Sequence, residues 1–153
     1  MLPGPYNNNV QLLQTPDHVA IVNEMIHDVR IVPMNGQPRV GHEIPRWMGD
    51  ARGHWEGNTL VIETVNFTDE RTFRGAGENL QLVERFTRVD RDTIDYQFTV
   101  TDPRTWARPW TAGFPLTRSQ EPLYEYACHE GNSESMIGTL KGARVEEAAA
   151  KPK

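Results

Sequence analysis

The sequence predicts an all-β fold: an antiparallel meander closing into a barrel of about eight strands. Three features point to it. Apolar residues recur at every second position in short segments, the period of a strand with one covered face. Turn residues such as Asn35-Gly36 and Glu56-Gly57-Asn58 break these segments at short intervals. Only "SESMIGTLKG" reads as helical, so at most one short helix is expected, near the C-terminus and closed by Gly142. A β-sandwich is the competing architecture. The barrel is favoured because consecutive hairpins make a meander, and closure removes the edges that such apolar strands must protect.

The elements follow in order. The start, "MLPGPYNNN", has the composition of a loop or strap. It has neither a basic nor an apolar targeting region, so no secretion signal is expected in it. "HVAIVNEM" (18–25) is a strand with Val19 and Ile21 on one face, and "VRIVPM" (29–34) follows it and stops at "NGQP". Residues 37–50 carry Pro38, Gly41, Pro45 and Gly49 and read as loop. "RGHWEGNTLVIETVNF" is a strand, a glycine turn and a long strand, followed by a polar loop over 68–79. The clearest hairpin spans 80–102: Leu80, Leu82 and Phe86 alternate going in, and Ile94, Tyr96, Phe98 and Val100 coming back. Asp102-Pro103 ends it, because proline cannot donate to the ladder. "PWTAGFPLTRS" and "LYEYACHE" are two further strands. Residues 1–145 thus form one domain, with a disordered tail over 146–153.

Composition bounds the function. A chain of 153 residues buries roughly 70% of its unfolded surface without staples. The net charge of -5 and scattered arginines speak against nucleic acid and anionic membrane as partners. A single cysteine excludes an internal disulfide and any zinc site built on two thiolates. No apolar run reaches the ~20 residues of a membrane-spanning helix.

Three stretches carry a resemblance: "WMGDARGHWEGNTLVIETVNF" (47–67), "LVERFTRVDRDTIDYQFTVTDPRTWARPWT" (82–111) and "YEYACHEGN" (124–132). Together they resemble an uncharacterised group of exported soil-bacterial β proteins. That group shares a W-E-G-D-T-L hairpin, an ER-x-x-RVD-x-DT hairpin and a terminal EY-x-C-x-E-x-N. Asn58 stands where the group more often has Asp. The resemblance covers most of 14–145 and implies a periplasmic or secreted protein, but it brings no activity. The glycine-turn hairpin is also similar to lipocalin-like barrels.

Alternation in "YEYACHE" puts Cys128 and His129 on opposite faces, so they are not a nucleophile and its base; a packed thiol is the expected role. The histidines form no compact ligand motif. If the fold brings His27, His54 and His129 to one rim, they would hold a zinc or copper ion with Glu130. The competing reading is that each is a rim residue bonded to backbone. Glu63 shares a face with Val61, Val65 and Phe67, and Glu84 with Leu80, Leu82 and Phe86. An inward carboxylate needs a partner, and Arg30 is the candidate for Glu84. Such acids serve proton transfer, ligand binding or a buried salt bridge.

The leading expectation is a small-molecule binding protein holding a partly apolar ligand in the barrel. Arg30, Glu63, Glu84 and Tyr126 would be polar contacts, with Trp55 and Trp110 as walls. The alternative is an enzyme in the same cavity, with His27, His54, Glu84 and Glu130 as acid, base or ligands. It would carry either no cofactor or a divalent metal held by His27, His54 and His129. The compatible partners are a small-molecule ligand and a second copy of the chain, with no nucleic acid and no membrane insertion.

Overall fold

Backbone pairing divides the chain into two antiparallel sheets. The computed structural model describes residues 8–25, 28–69, 73–124 and 133–150. Within them β1 (Val10–Gln14), β2 (His18–Asn23) and β3 (Val29–Pro33) form a three-stranded sheet in chain order. A five-stranded sheet, again in chain order, follows: β4 (Asp50–Glu56), β5 (Thr59–Val65), β6 (Gln81–Arg88), β7 (Thr93–Thr101) and β8 (Trp110–Thr117). The expectation of a closed barrel is corrected here, since no ladder among the described residues joins one sheet to the other.

The physical reason lies in residues 35–49. A closed meander needs β3 and β4 to pair as neighbours. Instead the chain between them is clasped to the five-stranded sheet: Arg52 Nε donates to the Gln37 carbonyl at 2.9 Å and Arg39 Nη2 to that of Glu63 at 3.2 Å. Asn66 Nδ2 donates to the Ile44 carbonyl at 2.8 Å. These bonds hold the connection between β3 and β4 against the larger sheet and satisfy its loop carbonyls.

The two sheets share one core. Val19, Ile21 and Val32 from the smaller sheet pack with Leu60, Ile62, Phe86, Tyr96, Phe98 and Val100 from the larger. Register explains the set. Ile62 lies opposite Glu84, Glu84 opposite Phe98, and Phe98 opposite Ala112, so these four share the inner face. The next inner row is Leu60, Phe86, Tyr96 and Phe114. The Tyr96 ring sits 4.7 Å from that of Phe86 and 5.3 Å, edge-on, from that of Phe114. Each large side chain so buried contributes about 1.5–3 kcal/mol relative to exposure.

The expected hairpins are present, with Gly57 at φ 59 in the β4–β5 turn, a conformation that costs glycine nothing. Strand β1, "VQLLQ", is not among the strands expected from sequence and follows directly on the stretch read as a strap. Near the C-terminus a π-helical turn, Ser133–Ile137, leads into α1 (Gly138–Ala150). This helix is longer than expected and takes in residues 146–150 of the anticipated tail. The strand expected over 123–130 lies, from residue 125 on, outside the described residues. No helix among the described residues is long and apolar enough to cross a membrane.

Candidate functional site

Two places carry chemistry: a polar cluster between the sheets and a groove beside it. The cluster begins with β6. Alternation over Leu82, Glu84 and Phe86 turns Glu84 into the core, where it is 0% exposed. A lone carboxylate there would be prohibitively costly. Arg30, carried inward by β3, meets it across the sheets: Nη1 donates to Oε1 at 3.1 Å and Nη2 to Oε2 at 2.5 Å. Tyr96 Oη, from the next strand, donates to Glu84 Oε1 at 2.8 Å. Arg30 Nη2 also donates to Thr64 Oγ1 at 3.1 Å.

The electrostatics follow from these bonds. Burial alone pushes the Glu84 carboxyl up. The charge and bonds of Arg30, with the Tyr96 hydroxyl, outweigh it and hold the carboxylate below its ordinary range. Burial acts on Arg30 in the sense that lowers its pKa, and Glu84 more than restores it. The Tyr96 hydroxyl is pushed well above the usual phenol value, by burial first and then by the Glu84 charge. The cluster therefore holds an ionised pair and a neutral phenol. It is sealed and nearly saturated: Arg30 Nε is the one buried side-chain polar atom among the described residues without a hydrogen-bond partner.

The groove lies where β3 and β4 part. Gly53 and Val32 are in close contact, a Cβ at position 53 falling 3.0 Å from Val32 Cγ1 and closer still to Met34 Sδ. Further along, residues 28–31 form one wall, residues 46–49 with Ala51 form the other, and the space between them is about 280 Å³. Val29, Ile31, Trp47 and Met48 are exposed in that lining, Ile31 by 56% and Trp47 by 54%. The exposed Arg46 has its backbone fixed, its N–H donating to the Asn66 carbonyl at 3.1 Å. Its guanidinium has no partner among the described residues. A second depression, on β7 and β8, is flatter, and its charged residue Asp95 already accepts from Gln97 at 3.1 Å.

The residues proposed from sequence separate accordingly. Arg30 and Glu84 meet as expected. Glu63 is corrected: its side chain is 55% exposed on the outer face, with Arg39 Nη2 3.5 Å away. Strand β5 is apolar on both faces, with Leu60, Val61 and Ile62 all buried, so alternation does not reveal which way Glu63 turns. Trp55 is corrected as well. It stands exposed near the tip of the β4–β5 hairpin and lines neither the groove nor the depression on β7 and β8. Trp110 packs inward against Phe98 and Trp106, with ring centroids 5.6 Å away in each case. His54 is exposed, its Nε2 3.2 Å from Glu56 Oε1, and Arg85 Nη2 donates to Glu56 Oε2 at 2.7 Å. His27, Tyr126, Cys128, His129 and Glu130 lie outside the described residues. Among the described residues no group of three or more His, Cys, Asp or Glu side chains is arranged to hold a metal ion.

Sequence reasoning missed Thr64 and Tyr96 as partners of the pair, and it missed the groove. Trp47 stood out as an aromatic, but only the tertiary fold sets it opposite β3. Comparison with protein-family models, curated proteins and solved structures finds no match.

Proposed function

We propose that this protein binds a compact, partly apolar small molecule in the groove between β3 and residues 46–51. One observation carries the reading: four large apolar side chains, Val29, Ile31, Trp47 and Met48, stand exposed together around one concavity. Single exposed apolar residues are ordinary, but a concave cluster of them beside a polar group is how ligand sites are built. A ligand between the sheets finds less support, because Tyr96, Phe98 and the Arg30–Glu84 pair occupy that space.

In this reading Glu84 does not touch the ligand. Its bonds to Arg30 hold one wall of the groove in place, a positioning role. The enzymatic alternative gains nothing from His54 and Glu84, neither of which lines the groove. A periplasmic or secreted setting belongs to this proposal and rests on the resemblance of the three motifs.

The test is a two-dimensional amide spectrum of labelled protein, with the Trp47 indole signal assigned through Trp47→Phe. A panel of small aromatic and aliphatic fragments is titrated in. Binders are expected to shift the Trp47 signal before those of Trp106 and Trp110. Ile31→Ser, at an exposed position, should weaken them about fivefold through lost apolar contact. Fragments that shift Trp106 and Trp110 and leave Trp47 still would overturn the reading.

A further inference from the structure

Resting on that groove, we infer that its ligand is a monocarboxylate whose carboxylate is received by Arg46. Arg46 lines the groove and is exposed, and its guanidinium has no ion-pair partner among the described residues. It is also not loosely placed: its N–H donates to the Asn66 carbonyl, and its carbonyl accepts from Gly49 and Thr68, all at 3.1 Å. A cation carried on an anchored backbone beside an apolar wall is half of an amphipathic recognition site.

Arg30 supplies the independent observation. It belongs to the same lining and is 6% exposed, and its two terminal nitrogens are spent on Glu84 and Thr64. Its Nε–H is buried without an acceptor among the described residues. Buried donors are almost always paired, because an unmade bond of this kind is destabilising. A buried N–H without an acceptor thus belongs to a residue of the same lining that holds Arg46.

Planar carboxylates match guanidinium geometry in two parallel bonds. One ionic charge also suits the site better than two. Arg30 is already neutralised by Glu84, and the chain as a whole carries a net charge of -5. Asp28, the acid of the lining, already accepts from the Val29 N–H at 2.8 Å. It disfavours an anion at its own position and so orients the ligand. The volume of about 280 Å³ lies at the small end for ligand pockets, which suits a single ring on a short linker lying against Trp47 and Ile31.

Three probes that share one phenylpropane skeleton test this: 3-phenylpropanoate, 3-phenylpropan-1-ol and 3-phenylpropan-1-amine, titrated into the whole chain by calorimetry with the Trp47 indole signal followed in parallel. The acid should bind about five- to tenfold tighter than the alcohol, and the amine weakest. In Arg46→Gln the acid should fall to the alcohol's affinity, and Arg46→Lys should restore part of its advantage. Equal binding of acid and alcohol, with the Trp47 signal shifting for both, overturns the carboxylate and leaves the groove standing. A preference for the amine overturns it in favour of Asp28. An acid preference that survives Arg46→Gln overturns the role of Arg46. If none of the three probes moves the Trp47 signal, the groove reading falls and this inference falls with it.

Discussion

Glu84 and Glu63 sit on adjacent strands of the same sheet, Glu84 directly opposite Ile62, one residue before Glu63. That single step puts them on opposite faces, and their surroundings share almost nothing. On the inner face Glu84 is wholly buried and receives two guanidinium bonds and a phenol. On the outer face Glu63 is more than half exposed, with one arginine at 3.5 Å. Water makes the difference. A carboxylate that keeps its hydration gains little from a partner, and one that loses it is destabilising without one. The outer network of His54, Glu56 and Arg85 obeys the same rule, for all its apparent order. It lowers the Glu56 pKa, chiefly through the Arg85 hydrogen bond, but it stands in solvent.

The largest expected effect comes from breaking the inner pair. Glu84→Ala leaves Arg30 charged and buried without its counter-ion and should cost about 3–5 kcal/mol, read from urea midpoints. Glu84→Gln should cost less, because it keeps the shape and part of the bonding. The pair also carries a pH signature. The folded-state pKa of Glu84 lies below its ordinary value, so the ionised form favours the fold. Its contribution is complete above the unfolded value and is lost as pH falls through the lower folded one. Urea midpoints taken from about pH 6 down to about pH 3 should therefore fall more steeply for wild type than for Glu84→Gln. Parallel slopes would mean that the inner pair behaves like an outer one.

An intermediate effect is expected where the two sheets press together. Gly53 shares the inner face with Ile62 and Glu84, and the smaller sheet lies directly over it. Gly53→Ala places a methyl against Met34 Sδ and 3.0 Å from Val32 Cγ1. Overpacking of this kind costs about 1–3 kcal/mol. Met34 is flexible, so Met34→Ala in the same chain should return part of the loss. A neutral Gly53→Ala would show that the inner face is looser here than the contact distances say.

How far the sequence alone reveals this depends on the strand. In β6 and β7 apolar and polar residues alternate cleanly, so the inward turn of Glu84 and the core role of Tyr96 and Phe98 are legible. In β5 three consecutive apolar residues are buried and cover both faces, and the orientation of Glu63 is lost. Barrel closure is not readable either. It depends on whether β3 and β4 pair, and the Arg39, Arg52 and Asn66 bonds that hold the intervening chain against the larger sheet join residues far apart in the chain. The groove is hidden for the same reason. Its walls are contributed by a strand and a loop more than a dozen residues apart, and neither has a motif. Arg30 was legible as a partner for Glu84 because an inward acid demands a cation. Its free Nε is a matter of geometry alone.

The smallest expected effect completes the contrast. Glu63→Gln removes a charge whose nearest partner is the Arg39 guanidinium at 3.5 Å, and Arg39 keeps its bond to the Glu63 carbonyl at 3.2 Å whatever the side chain is. The clasp that holds the loop therefore survives the substitution. Stability should stay within about 0.5 kcal/mol of wild type, and added salt should shrink even that difference. Arg39→Ala should cost more than Glu63→Gln, since it removes the backbone contact as well as the ion pair. The two substitutions combined should show little coupling. A coupling energy well above ~1 kcal/mol in that cycle would mean that the exposed pair is sheltered from water, and the rule drawn from the two faces would have to be given up.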